Sequence, residues 1–223
     1  TNRKVHGGTF GFVESIKLTS TLKECRRKNM PLIFLLDSGG ARLTEGYKAL
    51  GMFRLMFGEI LQTRLEGHPM MAIALRNCFG GASMIAASCG YRVGSENSSY
   101  GMSGPKIVKN NKLVDEQVLA EPNWVRDYFG GVARAKAGAF HELCEDTSSA
   151  YKEKITKFVV NNDNTKVNLL GLHAELSNRL ADKMPKPTGQ LKSNLLIGKG
   201  KPIGALEACT LADHLLKTPD GSK

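Results

Sequence analysis

The sequence predicts an α/β domain, and two observations carry that expectation. The first is the stretch 31–46, PLIFLLDSGGARLTEG. An apolar run of strand length, Leu32 to Leu36, is bounded by Pro31 and Asp37 and leads through Ser38, Gly39 and Gly40 toward a helix. The second is a repeat of that order. Pro69 to Leu75 reads as another strand, Gly80-Gly81 follows Gly39 by 41 positions, and Ala82–Cys89 reads as a small-residue helix. Strand, Gly-Gly and helix, twice in succession, is the grammar of a fold built from βα units.

The elements follow in order. Val5 to Phe12 is a Gly-rich lead-in, the end of a strand and a loop into helix Val13–Lys28. There Phe12, Ile16, Leu22 and Cys25 share the expected buried side. After the first strand the spacing predicts a helix over Ala41–Leu65. Leu43, Tyr47, Leu50, Phe53, Phe57, Leu61 and Leu65 recur at three- and four-residue steps. Gly46, Gly51 and Gly58 weaken that helix by about 1 kcal/mol each relative to Ala, which points to close packing or a break after Gly46. Strand Tyr91–Ser95 and loop Glu96–Gly104 follow, then a less regular region 113–131. Thr147 or Ser148 is placed to cap a helix over Ser149–Val160. Residues 1–160 read as one domain. Residues 161–223 read as an extension, with helices at 169–183 and 203–217 around a Pro-, Gly- and Lys-rich arm at 183–201.

A buried strand that runs through Gly-Gly into a helix start leaves backbone N–H groups without partners. Such groups accept an anion, or an oxygen that becomes anionic during reaction. Two such turns in neighbouring units can aim two donors at one carbonyl oxygen. Gly39, Gly40, Ala41, Gly80 and Gly81 are therefore the candidate oxyanion-hole residues. The competing reading is that the glycines serve packing alone.

The stretches DSGGARLTEG, CFGGASMIAA and YGMSGPKIV together resemble the carboxyltransferase branch of the crotonase-like superfamily, over about residues 7–160. Within it the resemblance is closest to the beta subunit of malonate decarboxylase, with the beta half of acyl-CoA carboxylase carboxyltransferases a near relative. The resemblance implies a crotonase-like spiral of ββα units with helices outside. It implies decarboxylation of a malonyl thioester, carried on CoA or on the phosphopantetheine of an acyl carrier protein. A second crotonase-like subunit is the implied partner, in a hetero-oligomer. Biotin would enter only through a partner, in the alternative reading of a biotin-dependent carboxyltransferase. In such proteins a Ser-Gly-Pro segment lines the pocket, which points to Ser103, Gly104 and Pro105. A plain Gly-Pro turn is the competing explanation. Phe79 and Arg42 are further candidates for substrate contact. Arg42 could meet a carboxylate or phosphate, or simply pair with Glu45 on its own helix. Crotonase-like hydratases typically place a Glu beside the second donor turn. Cys78, Phe79, Ala82 and Ser83 stand there instead, which argues against water addition.

Composition narrows the alternatives. The 223 residues are enough for a substantial core, and 24 glycines suit a turn-rich protein. The net charge of +10 invites a nucleic-acid reading. The basic residues are scattered, however, and no zinc finger, RNP-like or basic-region motif occurs. The charge equally suits an acidic substrate or carrier. Five cysteines without a C-x-x-C pair read as free thiols of a reducing, cytoplasmic compartment. Cys78 beside the second turn is a candidate nucleophile, weighed against the usual packing role of a buried thiol. Neither a metal-ligand set, a signal peptide nor a membrane-length apolar run is evident. The start at Thr1, without Met, reads as trimmed.

Overall fold

The computed structural model describes residues 1–111 and 114–161, all within one compact unit, Thr1–Val167. The two C-terminal helices and the basic arm expected beyond residue 161 lie outside the described residues.

The chain opens with a 3-10 turn, His6–Gly8, and helix α1, Phe12–Lys28. Strand β1, Leu32–Ser38, is followed by a second 3-10 turn, Leu43–Glu45, and helix α2, Gly46–Leu65. Strand β2, Met70–Phe79, leads into α3, Gly81–Ser88. Then come β3, Tyr91–Ser95, and β4, Ser99–Gly101. Four short helices follow: α4, Pro105–Asn110; α5, Glu116–Ala120; α6, Trp124–Phe129; and α7, Gly131–Lys136. Strand β5, Glu142–Cys144, and helix α8, Ser148–Val160, complete the described part. Thr147 caps α8, its Oγ1 accepting the Ala150 N–H at 3.2 Å.

The sheet is parallel throughout, in the order β1-β2-β3-β5. β2 is long enough to be shared on one edge. Met71–Ala74 pair with β3, and Asn77–Phe79 pair with β4. Its first five residues are buried, as expected of a central strand covered on both faces. One core cluster joins Leu22 of α1, Phe53, Met56 and Ile60 of α2, Leu36, Ala72, Ala74 and Ile85. A second cluster on the opposite face joins Met71, Ile73, Val93 and Cys144, with Tyr151, Ile155 and Phe158 of α8 packed against it.

Two expectations about helices are corrected. Ala41 lies outside any helix. It forms a parallel bridge with Phe10, and α2 begins only at Gly46, whose φ of 66° breaks the path. The buried side of α2 is Ala49, Phe53, Met56, Ile60 and Thr63. Of the expected stripe, Leu43, Tyr47, Leu50, Leu61 and Leu65 are exposed. The helix is apolar on more than one side, so its period fits two stripes that cross at Phe53. In α1, likewise, Leu22 and Cys25 are buried while Phe12 and Ile16 are exposed.

Candidate active site

The two Gly-Gly turns end β1 and β2, neighbouring parallel strands, and therefore emerge side by side at one edge of the sheet. They touch through backbone. A Cβ added to Gly40, at φ 99°, would lie 2.7 Å from the Gly81 nitrogen and 2.8 Å from the Phe79 carbonyl oxygen. No side chain fits between them, and only glycine adopts that backbone without strain.

Which N–H groups are free decides which can act. The Gly39 N–H donates to the Gly7 carbonyl at 3.2 Å. The Gly40 N–H donates to the buried Ser38 Oγ at 3.0 Å. The Gly80 N–H donates to the carbonyls of Gly101 and Met102, at 3.2 and 3.1 Å. These three, expected as oxyanion donors, are occupied in holding the turns. The Ala41 N–H is different. In its bridge the Phe10 N–H donates to the Gly40 carbonyl and the Arg42 N–H to the Phe10 carbonyl, both at 2.8 Å. That pattern turns the Ala41 N–H the other way, and it has no hydrogen-bond partner among the described residues. Gly81 opens α3, so its N–H has no helical acceptor and is likewise unpartnered among the described residues. The first helical bond there is from Met84 to the Gly80 carbonyl. The positive end of α3 adds to the field at the Gly81 N–H. Each turn thus carries one donor unpartnered among the described residues, and the two turns are in contact.

Arg42 is not available to a substrate. Its guanidinium donates to Glu45 Oε1 at 2.6 Å, Glu14 Oε1 at 2.8 Å, the Thr9 carbonyl at 2.9 Å and Thr9 Oγ1 at 3.1 Å. Its side chain is 12% exposed. The structure thus gives it the pairing role, widened to a four-point clamp that holds Ala41 against Phe10. Glu45 stands three residues away in sequence, whereas Thr9 and Glu14 lie some thirty positions upstream and no local pattern announces them.

Phe79 stands edge-on to Phe129 at 5.8 Å, with Trp124 and Tyr128 around the same ring. Gly104 abuts it, a Cβ there lying 3.9 Å from the Phe79 ring. Gly104 precedes α4 and Pro105 occupies its first turn. Ser103, Gly104 and Pro105 are therefore carried by β4 to the neighbourhood of Gly80, whose N–H binds the strand's last residue. Cys78 is fully buried. Burial raises its thiol well above the ordinary thiol range, leaving it a packing group with no thiolate to offer.

A cavity of about 530 Å³ lies along β1 between the N-terminal segment and α1, lined by Thr9, Phe10, Leu36 and Arg42 among others. Neither Ala41 nor Gly81 lines it. Among the described residues no group of three His, Cys, Asp or Glu comes together to hold a metal ion. Nor is any described helix long and apolar enough to cross a membrane.

The sequence profile of one family, the carboxyl transferase domain, matches residues 1–171. The chain belongs to this family. Among curated relatives it is 28% identical over 178 residues to the methylmalonyl-CoA carboxyltransferase 12S subunit of Propionibacterium freudenreichii subsp. shermanii, covering 78% of this chain and 32% of that one. It is 28% identical over 104 residues to the acetyl-coenzyme A carboxylase carboxyl transferase subunit beta of Fusobacterium nucleatum, covering 46% and 34%. The chain thus spans about a third of the length of these curated relatives. Among solved structures it resembles a Pseudomonas malonate decarboxylase hetero-tetramer in complex with malonate. The TM-score is 0.68 at 20% identity, over 84% of this chain and 69% of that one. Transcarboxylase 12S, with hydrolysed methylmalonyl-coenzyme A bound, gives 0.55 at 25% identity over 66% and 27%. The fold is the crotonase-like α/β fold of these carboxyltransferases, as the motifs implied.

Proposed function

We propose that this chain supplies the acyl-thioester half of a site that removes the carboxyl group from a malonyl-type thioester. The carrying observation is the pair of free N–H donors, Ala41 and Gly81, on turns in backbone contact. In the reaction the bond between the α-carbon and the carboxyl carbon breaks. Its electron pair moves onto the thioester, whose carbonyl oxygen becomes an enolate oxygen, and CO₂ leaves. A proton, ultimately from solvent, then takes the place of the carboxyl group on the α-carbon. The charge grows on the thioester oxygen, and two donors placed on that oxygen would bind the transition state more strongly than the substrate. No side-chain base is required until the carbanion is quenched, which suits turns that present backbone rather than acid–base side chains.

Release as free CO₂, the malonate decarboxylase form, is the version we favour. It rests on the combined motifs at residues 37–46, 78–82 and 100–108. The carrier would be CoA or an acyl carrier protein, and a second crotonase-like subunit would complete the site. Transfer of the carboxyl group to biotin on a partner is the second reading. The sequence relatives favour it, since they include the methylmalonyl-CoA carboxyltransferase 12S subunit.

The test is the native complex, purified through this chain and given malonyl-CoA. CO₂ release that avidin does not block, from a complex without biotin, supports the decarboxylase. Avidin-sensitive carboxyl transfer moves the assignment to the second reading. Absence of both, with malonyl-CoA and with malonyl-acyl carrier protein, overturns the proposal.

A further inference from the structure

The register of β1 against β2 is broken just before the two turns. Leu36 stands opposite Ala74, but Ser38 stands opposite Cys78, so two steps along β1 correspond to four along β2. The extra residues of β2 lie between Ala74 and Cys78, and a bulge of this kind leaves backbone groups without a ladder partner. Asp37, the residue of β1 inside the break, fills the gap. Its side chain is 8% exposed. Its Oδ1 accepts the Asn77 backbone N–H at 3.2 Å and the Asn77 Nδ2 at 3.3 Å. Its other oxygen lies 3.7 Å from Arg76 Nε. Asn77 is three residues before Gly80, and Asp37 three before Gly40. The carboxylate therefore bridges the two strands three residues before the point where their turns meet.

We infer that Asp37 is a positioning residue: its carboxylate fixes how far β2 advances past β1, and so sets the Gly81 N–H level with the Ala41 N–H. The inference rests on the enolate reading and adds the part that aligns the two donors. Their alignment is a matter of register, and the ladder bonds that hold register in a parallel pair are interrupted between Leu36 and Ser38. A side-chain acceptor of fixed length replaces them. A misplacement of about 1 Å at a reacting centre can cost about a hundredfold in rate, so one methylene in this bridge is enough to matter.

The experiment compares Asp37→Asn, Asp37→Glu and Ala41→Pro in the native complex, reading kcat and KM for malonyl-CoA beside a thermal melt. Asp37→Asn keeps the bridge's length and an oxygen for the Asn77 N–H, and its kcat stays within about fivefold of the parent. Asp37→Glu keeps the charge but lengthens the bridge. Its kcat falls by more than about fivefold while KM holds, as expected for donors moved out of line with the transition state. An Asp37→Glu protein that turns over normally overturns the inference, as does an Asp37→Asn protein slowed as much as Asp37→Glu. An Asp37→Glu protein that fails to fold also overturns it, because the residue would then hold the fold rather than aim the donors. A slowed Ala41→Pro beside a normal Asp37→Glu removes only the role of Asp37. If both turn over like the parent, the enolate reading itself has failed.

Discussion

Gly40 and Gly81 meet with no room for a side chain: the position of a Gly40 Cβ is 2.7 Å from the Gly81 nitrogen. The contact joins residues that end two different strands, and it fixes the separation of the two free donors.

Gly40→Ala is therefore expected to be severe. Its φ of 99° strains any L side chain, at a cost of about 1–3 kcal/mol. The added methyl also meets two backbone atoms, at 2.7 and 2.8 Å, which cannot turn aside as a side-chain tip would. Melting temperature and turnover both fall. A variant with parental melting and turnover would mean that the turns do not need this contact.

Ala41→Pro tests the donor itself. The bridge to Phe10 uses the Gly40 carbonyl and the Arg42 N–H, so proline removes only an N–H that pairs with nothing described. Losing one oxyanion donor costs about a hundred- to a thousandfold in turnover. Affinity for an unreactive acyl-CoA changes far less. A circular dichroism melt checks that Gly40 keeps its conformation before proline. Gly81 offers no comparable test, because a Cβ there would lie 2.3 Å from the Phe53 ring.

Arg42→Ala should lower stability and leave KM for malonyl-CoA unchanged, since the guanidinium is spent on Thr9, Glu14 and Glu45. A KM rise without a loss of melting temperature would return Arg42 to substrate binding.

The same clamp gives an acid dependence. The Phe12 N–H, and then Arg42, hold the Glu45 carboxyl below its ordinary value of 4.5. A value depressed in the folded state stabilises the fold above the unfolded value, and this is lost as pH falls through the folded one. Glu45→Gln should therefore flatten the decline of melting temperature between about pH 5 and pH 3. An unchanged slope would show that Glu45 does not contribute.

Cys78→Ala should keep turnover within about threefold, because a buried thiol of raised pKa supplies no nucleophile. Complete loss in a folded variant would reopen covalent catalysis.

Much of this protein was written in local sequence. The strand at Leu32, the strand Tyr91–Ser95, the two Gly-Gly turns and the Thr147 cap each follow from residues within a few positions of one another. The order of motifs also named the family. What tertiary structure alone decided is which donors are free and which helix face is buried. Gly39, Gly40, Ala41, Gly80 and Gly81 are equivalent as sequence, since every one carries a backbone N–H in a tight turn. Three are taken by the Gly7 carbonyl, the Ser38 hydroxyl and the carbonyls of Gly101 and Met102, and two of those acceptor sets lie more than twenty positions away. Arg42 was likewise claimed by Thr9 and Glu14 across the fold. On α2, Leu61 and Ile60 satisfy the same helical period, and only the elements packed on one side choose Ile60 for the core. Local chemistry determines that a turn or a helix forms. The acceptors and surfaces that come to it from elsewhere in the chain determine what is left free to act.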